Sequence, residues 1–140
     1  MRNTSASNIR QATMTWVRDM VFEGGAPGGP VGTLDGDGAA GPSPVTGLLM
    51  AVAGCTGSDV VSILAKMRVS LTRLTIEVIG TRRDDHPRRF VNLHLVFDLA
   101  GDGLDETKAR RAIELSLDKY CSVIHSLAPD ITVTHELRLG

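Results

Sequence analysis

Between Thr13 and Glu23 the chain reads TMTWVRDMVFE, a rough alternation rich in β-branched and aromatic residues that predicts a strand. GGAPGGP then breaks the chain before a short second strand at Val31 to Leu34. From Ser43 the period becomes helical. Ser43 is placed to cap the free amides, and Pro44 takes the first helical position, where its missing N–H costs nothing. The helix that follows continues to about Arg68 and would span roughly 36 Å. Two alternating segments come next, Leu71 to Thr81 and Arg89 to Leu99, with Phe90, Leu93, Leu95 and Phe97 as a buried face and the charged Arg82 to Pro87 as an exposed hairpin loop. Asp105 then caps a second helix that carries Ala109, Ala112, Ile113, Ser116, Leu117, Tyr120 and Ile124 on one side. Pro129 ends it, and Ile131 to Leu139 alternates as a last strand. The order β-β-α-β-β-α-β predicts one α+β domain over residues 1–140, its helices on one side of a largely antiparallel sheet.

Small residues in the long helix are ordered. Gly47, Ala51, Gly54, Ser58 and Ser62 recur three or four apart and line one stripe where another helix can approach closely. Glycine inside a helix costs about 0.5 to 1 kcal/mol against alanine, so Gly47, Gly54 and Gly57 call for a packing reason, such as a contact across a dimer axis. The glycines between Gly24 and Pro42 read as loop and hairpin turns, because no phosphate-binding glycine motif is completed there. Asp35-Gly36-Asp37-Gly38 lacks the later ligands of a calcium loop.

Composition narrows the partners. Apolar residues make up 42% of the 140, enough for a core, and a formal net charge of -1 creates no field for nucleic acid or an anionic membrane. Arg82, Arg83, Arg88 and Arg89 cluster, but Asp84 and Asp85 sit among them without interleaved aromatics, as on a solvated hairpin tip. LLMAVAGC is followed at once by Thr56, Ser58 and Asp59, so no membrane span is expected. MRNTSASNIRQ lacks the apolar run of a signal peptide, and the two cysteines are too few for a secreted staple framework. The expectation is a cytoplasmic protein whose partners are small molecules or other protein chains.

Candidate chemistry rests on those cysteines, Cys55 and Cys121, one in each helix. Free cysteines are often just small buried apolar residues, and nothing in the spacing says that these two meet. Asp59 lies one turn beyond Cys55, where a carboxylate opposes thiolate formation unless it caps or pairs with a base such as Arg18 or Arg68. His125 lies one turn beyond Cys121, and His86, His94 and His135 show no ligand spacing, so no metal site is expected.

The segment GPSPVTGLLMAVAGCTGSDVVSILAKMR, followed later by KYCSV, resembles the OsmC-like family, which includes the organic hydroperoxide reductases. The likeness runs from TWVRD through the final strand, and the G-C-T…D-V-V-S-I-L and K-Y-C-S-V wording is that of one sub-branch. The resemblance implies an OsmC-like fold with a long central helix and an intertwined homodimer with two active sites at the subunit interface. It also implies the chemistry of an antioxidant stress protein. Cys55 would attack the distal oxygen of an organic hydroperoxide, hydrogen peroxide being a further substrate, and become a sulfenic acid that Cys121 resolves as a disulfide. A thiol or dithiol reductant, often of lipoyl type, would restore the pair, with no metal, flavin or nicotinamide. An isolated thiol at a pKa of about 8.5 is little ionised at neutral pH, so a cation is required. The family's T-x-x-R-D context is reproduced by Thr15-Trp16-Val17-Arg18-Asp19 and nominates Arg18. One departure stands out: the reductases hold that arginine with a glutamate directly after the proline, and many sub-branch relatives place it one position later, whereas this chain has Val45 and Thr46. The alternative is therefore a non-catalytic dimeric small-molecule-binding or stress protein that keeps the fold without the arginine-orienting acid.

Overall fold

The structure is a computed structural model that describes residues 8–140; the first seven residues of the polar N-terminal segment lie outside the described residues. The chain forms two compact units, one up to Gly47 and one from Leu48 to Gly140.

In the first unit, β1 (Thr13–Arg18), β2 (Val21–Gly25) and β3 (Gly32–Asp35) make an antiparallel three-stranded sheet in the order β1-β2-β3. The single strand expected over Thr13 to Glu23 is thus two strands. The chain reverses at Asp19, whose φ of 43° is left-handed, while the Trp16 indole N–H donates to the Asp19 carbonyl at 2.8 Å. Alternation persists through both strands and conceals the turn, because Asp19-Met20 carries no glycine or proline to announce it. Asp35 closes the unit. Its carboxylate is buried and accepts from the backbone N–H groups of Asp37, Ala39 and Ala40 at 2.9, 3.1 and 2.8 Å. Those bonds, Ala40 foremost and then Asp37, hold its carboxyl below the usual range, with the charge of Arg18 adding to them.

Helix α1 (Pro44–Lys66) begins as its sequence dictates, with the Ser43 Oγ accepting from the Thr46 N–H at 3.1 Å. It ends in a Schellman motif without glycine: Arg68 takes φ 62°, its N–H reaches the Ala65 carbonyl and the Val69 N–H the Leu64 carbonyl, each at 3.0 Å. Within the second unit Val52, Thr56, Gly57, Val60 and Leu64 are its buried residues, while Ala51, Gly54, Ser58 and Ser62 lie exposed. The small-residue stripe therefore faces away from this chain's core. By length and composition α1 is apolar enough to cross a membrane, contrary to the sequence expectation, and only 22% of its most apolar stretch is buried. The polar Thr56, Ser58 and Asp59 do not interrupt it, because averaged over the whole helix the apolar residues outweigh them.

β4 (Ser70–Arg82) and β5 (Phe90–Asp102) form a long antiparallel hairpin, and β6 (Thr132–Leu139) joins β5 in parallel, giving the order β4-β5-β6. The parallel pair follows from the connection, which carries helices and so crosses over the sheet before returning. Leu93, Leu95, Phe97 and Leu99 of β5 are buried in one core with Val60 and Leu64 of α1 and with Ala109, Ala112 and Ile113 of α2 (Glu106–Leu115). Asp105 caps α2 by accepting from the Lys108 N–H at 2.8 Å.

The expected second helix does not run unbroken to Pro129. After α2 the backbone widens into a π-helical segment, Ser116–Tyr120, closed by the Cys121 N–H on the Ser116 carbonyl at 2.8 Å, and then restarts as the single turn α3 (Ser122–His125). The inserted residue shifts the apolar face: Tyr120, expected on the buried side, is 50% exposed, whereas Cys121 is sealed in.

Candidate functional site

Cys121 is extended, at φ -70° and ψ 100°, between the π-helical segment and α3, rather than inside a helix as its sequence pattern suggested. Its Sγ takes the place of a capping oxygen for α3, accepting from the Ile124 N–H at 3.5 Å. The Thr56 hydroxyl of α1 donates to the same sulfur at 3.3 Å. Thr56 directly follows Cys55, so the contact draws the end of the second helical region onto the turn of α1 that carries the other thiol. The Cys121 sulfur therefore lies against the residue that adjoins Cys55. Burial pushes the Cys121 thiol up, the Thr56 and Ile124 hydrogen bonds oppose that, and a hydrogen bond with Cys55 together with the Cys55 charge adds to it. Both cysteines are free; Cys121 has no exposed surface while Cys55 is half-buried.

A second tie crosses the same interface. Ser116, fully buried at the start of the π-helical segment, donates its hydroxyl to Asp59 Oδ2 at 2.8 Å. The sequence leaves open whether Asp59 caps or pairs with a base such as Arg18 or Arg68; its partner is this neutral hydroxyl. A buried serine needs an acceptor, and α1 presents one a single turn beyond Cys55. Thr56 and Ser116 thus belong to the site, and neither was singled out from the sequence. Their signal was faint: a threonine adjoining a cysteine, and a serine at a core position of an apolar face.

Arg18 lies in the other unit, at the end of β1 beside the strand irregularity between Trp16 and Arg18. It is exposed, and among the described residues no hydrogen bond or ion pair engages its guanidinium. The first turn of α1 carries no acidic residue; Val45 is 38% exposed, and the Thr46 hydroxyl accepts from Ser43 at 3.1 Å.

Beyond α3 a cavity of about 450 Å³ opens between Leu117, Ile124 and Ile131, with Asp118, His125 and His135 at its polar edge. His125 therefore turns toward this cavity, while His135 meets the Phe97 ring edge-on at 6.2 Å. Among the described residues no group of three or more His, Cys, Asp or Glu is arranged to hold a metal ion.

Residues 35–136 match the family model described as OsmC-like protein. The chain is 37% identical over 126 residues to Protein YhfA of Escherichia coli (strain K12), covering 89% of this chain and 94% of that protein. The structure of an OsmC-like protein from Mycoplasma pneumoniae aligns with a TM-score of 0.80 at 16% identity, over 94% of this chain and 96% of that one. That of an organic hydroperoxide resistance protein OsmC from Legionella pneumophila aligns with a TM-score of 0.64 at 14% identity, over 93% and 96%. At those identities the two structures speak to the fold, which is the α+β arrangement described above. The family match and the extended identity to YhfA agree: the chain belongs to the OsmC-like family.

Proposed function

We propose that the protein is a thiol-dependent peroxidase that reduces organic hydroperoxides, and hydrogen peroxide as a further substrate, with Cys55 as the attacking and Cys121 as the resolving thiol. The observation that carries this reading is the Thr56 hydroxyl bond to the Cys121 sulfur, which sets the sealed thiol against the turn of α1 that carries the half-buried Cys55. The half-exposed thiol can meet a substrate; the sealed one can meet only its neighbour. Membership of the family supports a redox role, as does the fold shared with a protein named for organic hydroperoxide resistance.

The Cys55 thiolate attacks the distal oxygen of the hydroperoxide. The O–O bond breaks, an S–O bond forms, and the alkoxide takes a proton to leave as the alcohol. The Cys121 thiolate then attacks the Cys55 sulfenic acid, forms the S–S bond and expels hydroxide, which leaves as water. A thiol or dithiol reductant reopens the disulfide and carries away the oxidation as its own. Arg18 is assigned the charge that favours the Cys55 thiolate and the departing alkoxide, a role supported by the likeness of its Thr15 to Asp19 context to the family's.

The active form is proposed to be a cytoplasmic homodimer, with the two units of each chain acting as one domain. The exposed apolar length of α1 supports a second copy as its cover, with Gly54 open to close approach because a Cβ there meets nothing within 4 Å.

Consumption of cumene hydroperoxide by the reduced protein tests the reading, with Cys55→Ser and Cys121→Ser alongside. Loss of peroxide that vanishes in Cys55→Ser, with a sulfenic acid trapped in Cys121→Ser, is the expected result. Consumption no faster than that of a free-thiol control would end the peroxidase reading.

A second reading is a dimeric binding protein, favoured by the acid-free first turn of α1 and by the cavity beside α3. The pH dependence of Cys55 alkylation separates the two, since an activated thiolate reacts well below the ordinary thiol range and a merely packed thiol does not.

A further inference from the structure

In the cycle proposed above, Cys121 must carry negative charge where no water reaches it. Burial of an unassisted charge is costly, so donors at the sulfur decide whether the step proceeds. Two are present: the Ile124 N–H, which belongs to the turn that Cys121 caps, and the Thr56 hydroxyl at 3.3 Å. Thr56 is itself fully buried, and its hydroxyl donates to sulfur rather than to the carbonyl one turn back, the usual recourse of a helical threonine. A thiolate has no proton to give, so in that state the hydroxyl can only donate, and the bond strengthens as charge develops. Successive helical side chains diverge by about 100°, which lets Cys55 and Thr56 flank one sulfur from neighbouring directions.

Resting on the two-thiol reading, we infer that Thr56 is a catalytic residue of the resolution step, its hydroxyl holding the Cys121 sulfur beside Cys55 and stabilising the thiolate as it displaces hydroxide from the Cys55 sulfenic acid. The S–S bond forms as the S–O bond breaks, and the proton given up by Cys121 leaves with that hydroxide as water. The same donor decides the fate of the sulfenic acid. With fast resolution it closes to a disulfide; with slow resolution a second hydroperoxide oxidises it to sulfinic acid.

Thr56→Val removes the donor and keeps the branched shape, and Thr56→Ser keeps the donor. With cumene hydroperoxide, the rate of Cys55 sulfenic acid formation is measured in each protein, so that resolution is read as a separate step. Conversion to the disulfide is expected to slow at least about ten-fold in Thr56→Val, as for loss of a hydrogen bond to a charged group. Mass spectrometry should then show Cys55 sulfinic acid accumulating under excess peroxide in Thr56→Val, while Thr56→Ser behaves like the wild type. Equal disulfide rates in Thr56→Val and wild type, or a Thr56→Ser as slow as Thr56→Val, would overturn the inference. If wild-type Cys55 gives no sulfenic acid, the peroxidase reading falls by itself, and closure of the same pair by diamide reads Thr56 alone. Slower diamide closure in Thr56→Val with rescue by serine upholds the donor; equal closure removes it.

Discussion

The Ser116 hydroxyl donates to Asp59 Oδ2 at 2.8 Å, tying α1 to the π-helical segment that delivers Cys121. Ser116→Ala should leave a half-buried carboxylate without its donor and cost about 1 to 3 kcal/mol of stability. Asp59→Asn retains an acceptor and should cost less. Urea midpoints of the two variants check the order, and a larger loss in Asp59→Asn would mean that the charge itself, rather than the hydrogen bond, anchors the segment.

The two thiols should differ in access. Near neutral pH iodoacetamide is expected to modify Cys55 first, with Cys121 reacting only once the chain is opened by denaturant, because its sulfur has no exposed surface. Peptide mapping of the modified protein distinguishes them.

Burial also makes Cys121 a source of alkaline sensitivity. Its folded pKa lies above the unfolded value, so the unfolded chain releases the proton first. Stability is therefore complete below the unfolded thiol pKa of about 8.5 and falls as pH rises through it. Thermal unfolding of wild type and Cys121→Ala between pH 7 and pH 10 should show a steeper decline in the wild type.

On the open face of the β4-β5-β6 sheet, His94 bonds Glu136 Oε1 at 3.2 Å and the Thr134 hydroxyl at 2.7 Å. The His94 hydrogen bond is the main reason that Glu136 is held below its usual pKa. A depressed carboxylate contributes stability above its unfolded pKa and loses it as pH falls through the folded one. Glu136→Gln should accordingly flatten the acid limb of a melting-temperature profile below about pH 4.5. An unchanged acid limb would show the pair to be inert.

Two glycines separate packing within the chain from packing between chains. A Cβ at Gly80 would run into the Phe90 ring, so Gly80→Ala should destabilise the monomer fold by about 1 to 3 kcal/mol. At Gly54 a Cβ meets nothing within 4 Å. If α1 packs on a second copy, Gly54→Leu will weaken the dimer in sedimentation velocity while each chain still folds. Undiminished association would place the dimer contact elsewhere.

Residue pattern alone determined the local elements whose causes are local. Ser43-Pro44 starts α1, Asp105 caps α2, and the alternation in β5 buries Leu93, Leu95 and Phe97, because caps and periodicity act within a few residues. The two cysteines, and through the family likeness their pairing, were likewise readable as candidates. Three things required the tertiary structure. The turn at Asp19 uses a left-handed residue that is not glycine, and the parallel pairing of β6 depends on where a distant crossover returns. The π-helical widening after Ser116 reverses which residue is buried, exposing Tyr120 and enclosing Cys121. That widening is fixed by contacts from another helix, Thr56 to the Cys121 sulfur and Asp59 to Ser116, and a bond between residues so distant in sequence leaves no period for a pattern to reveal.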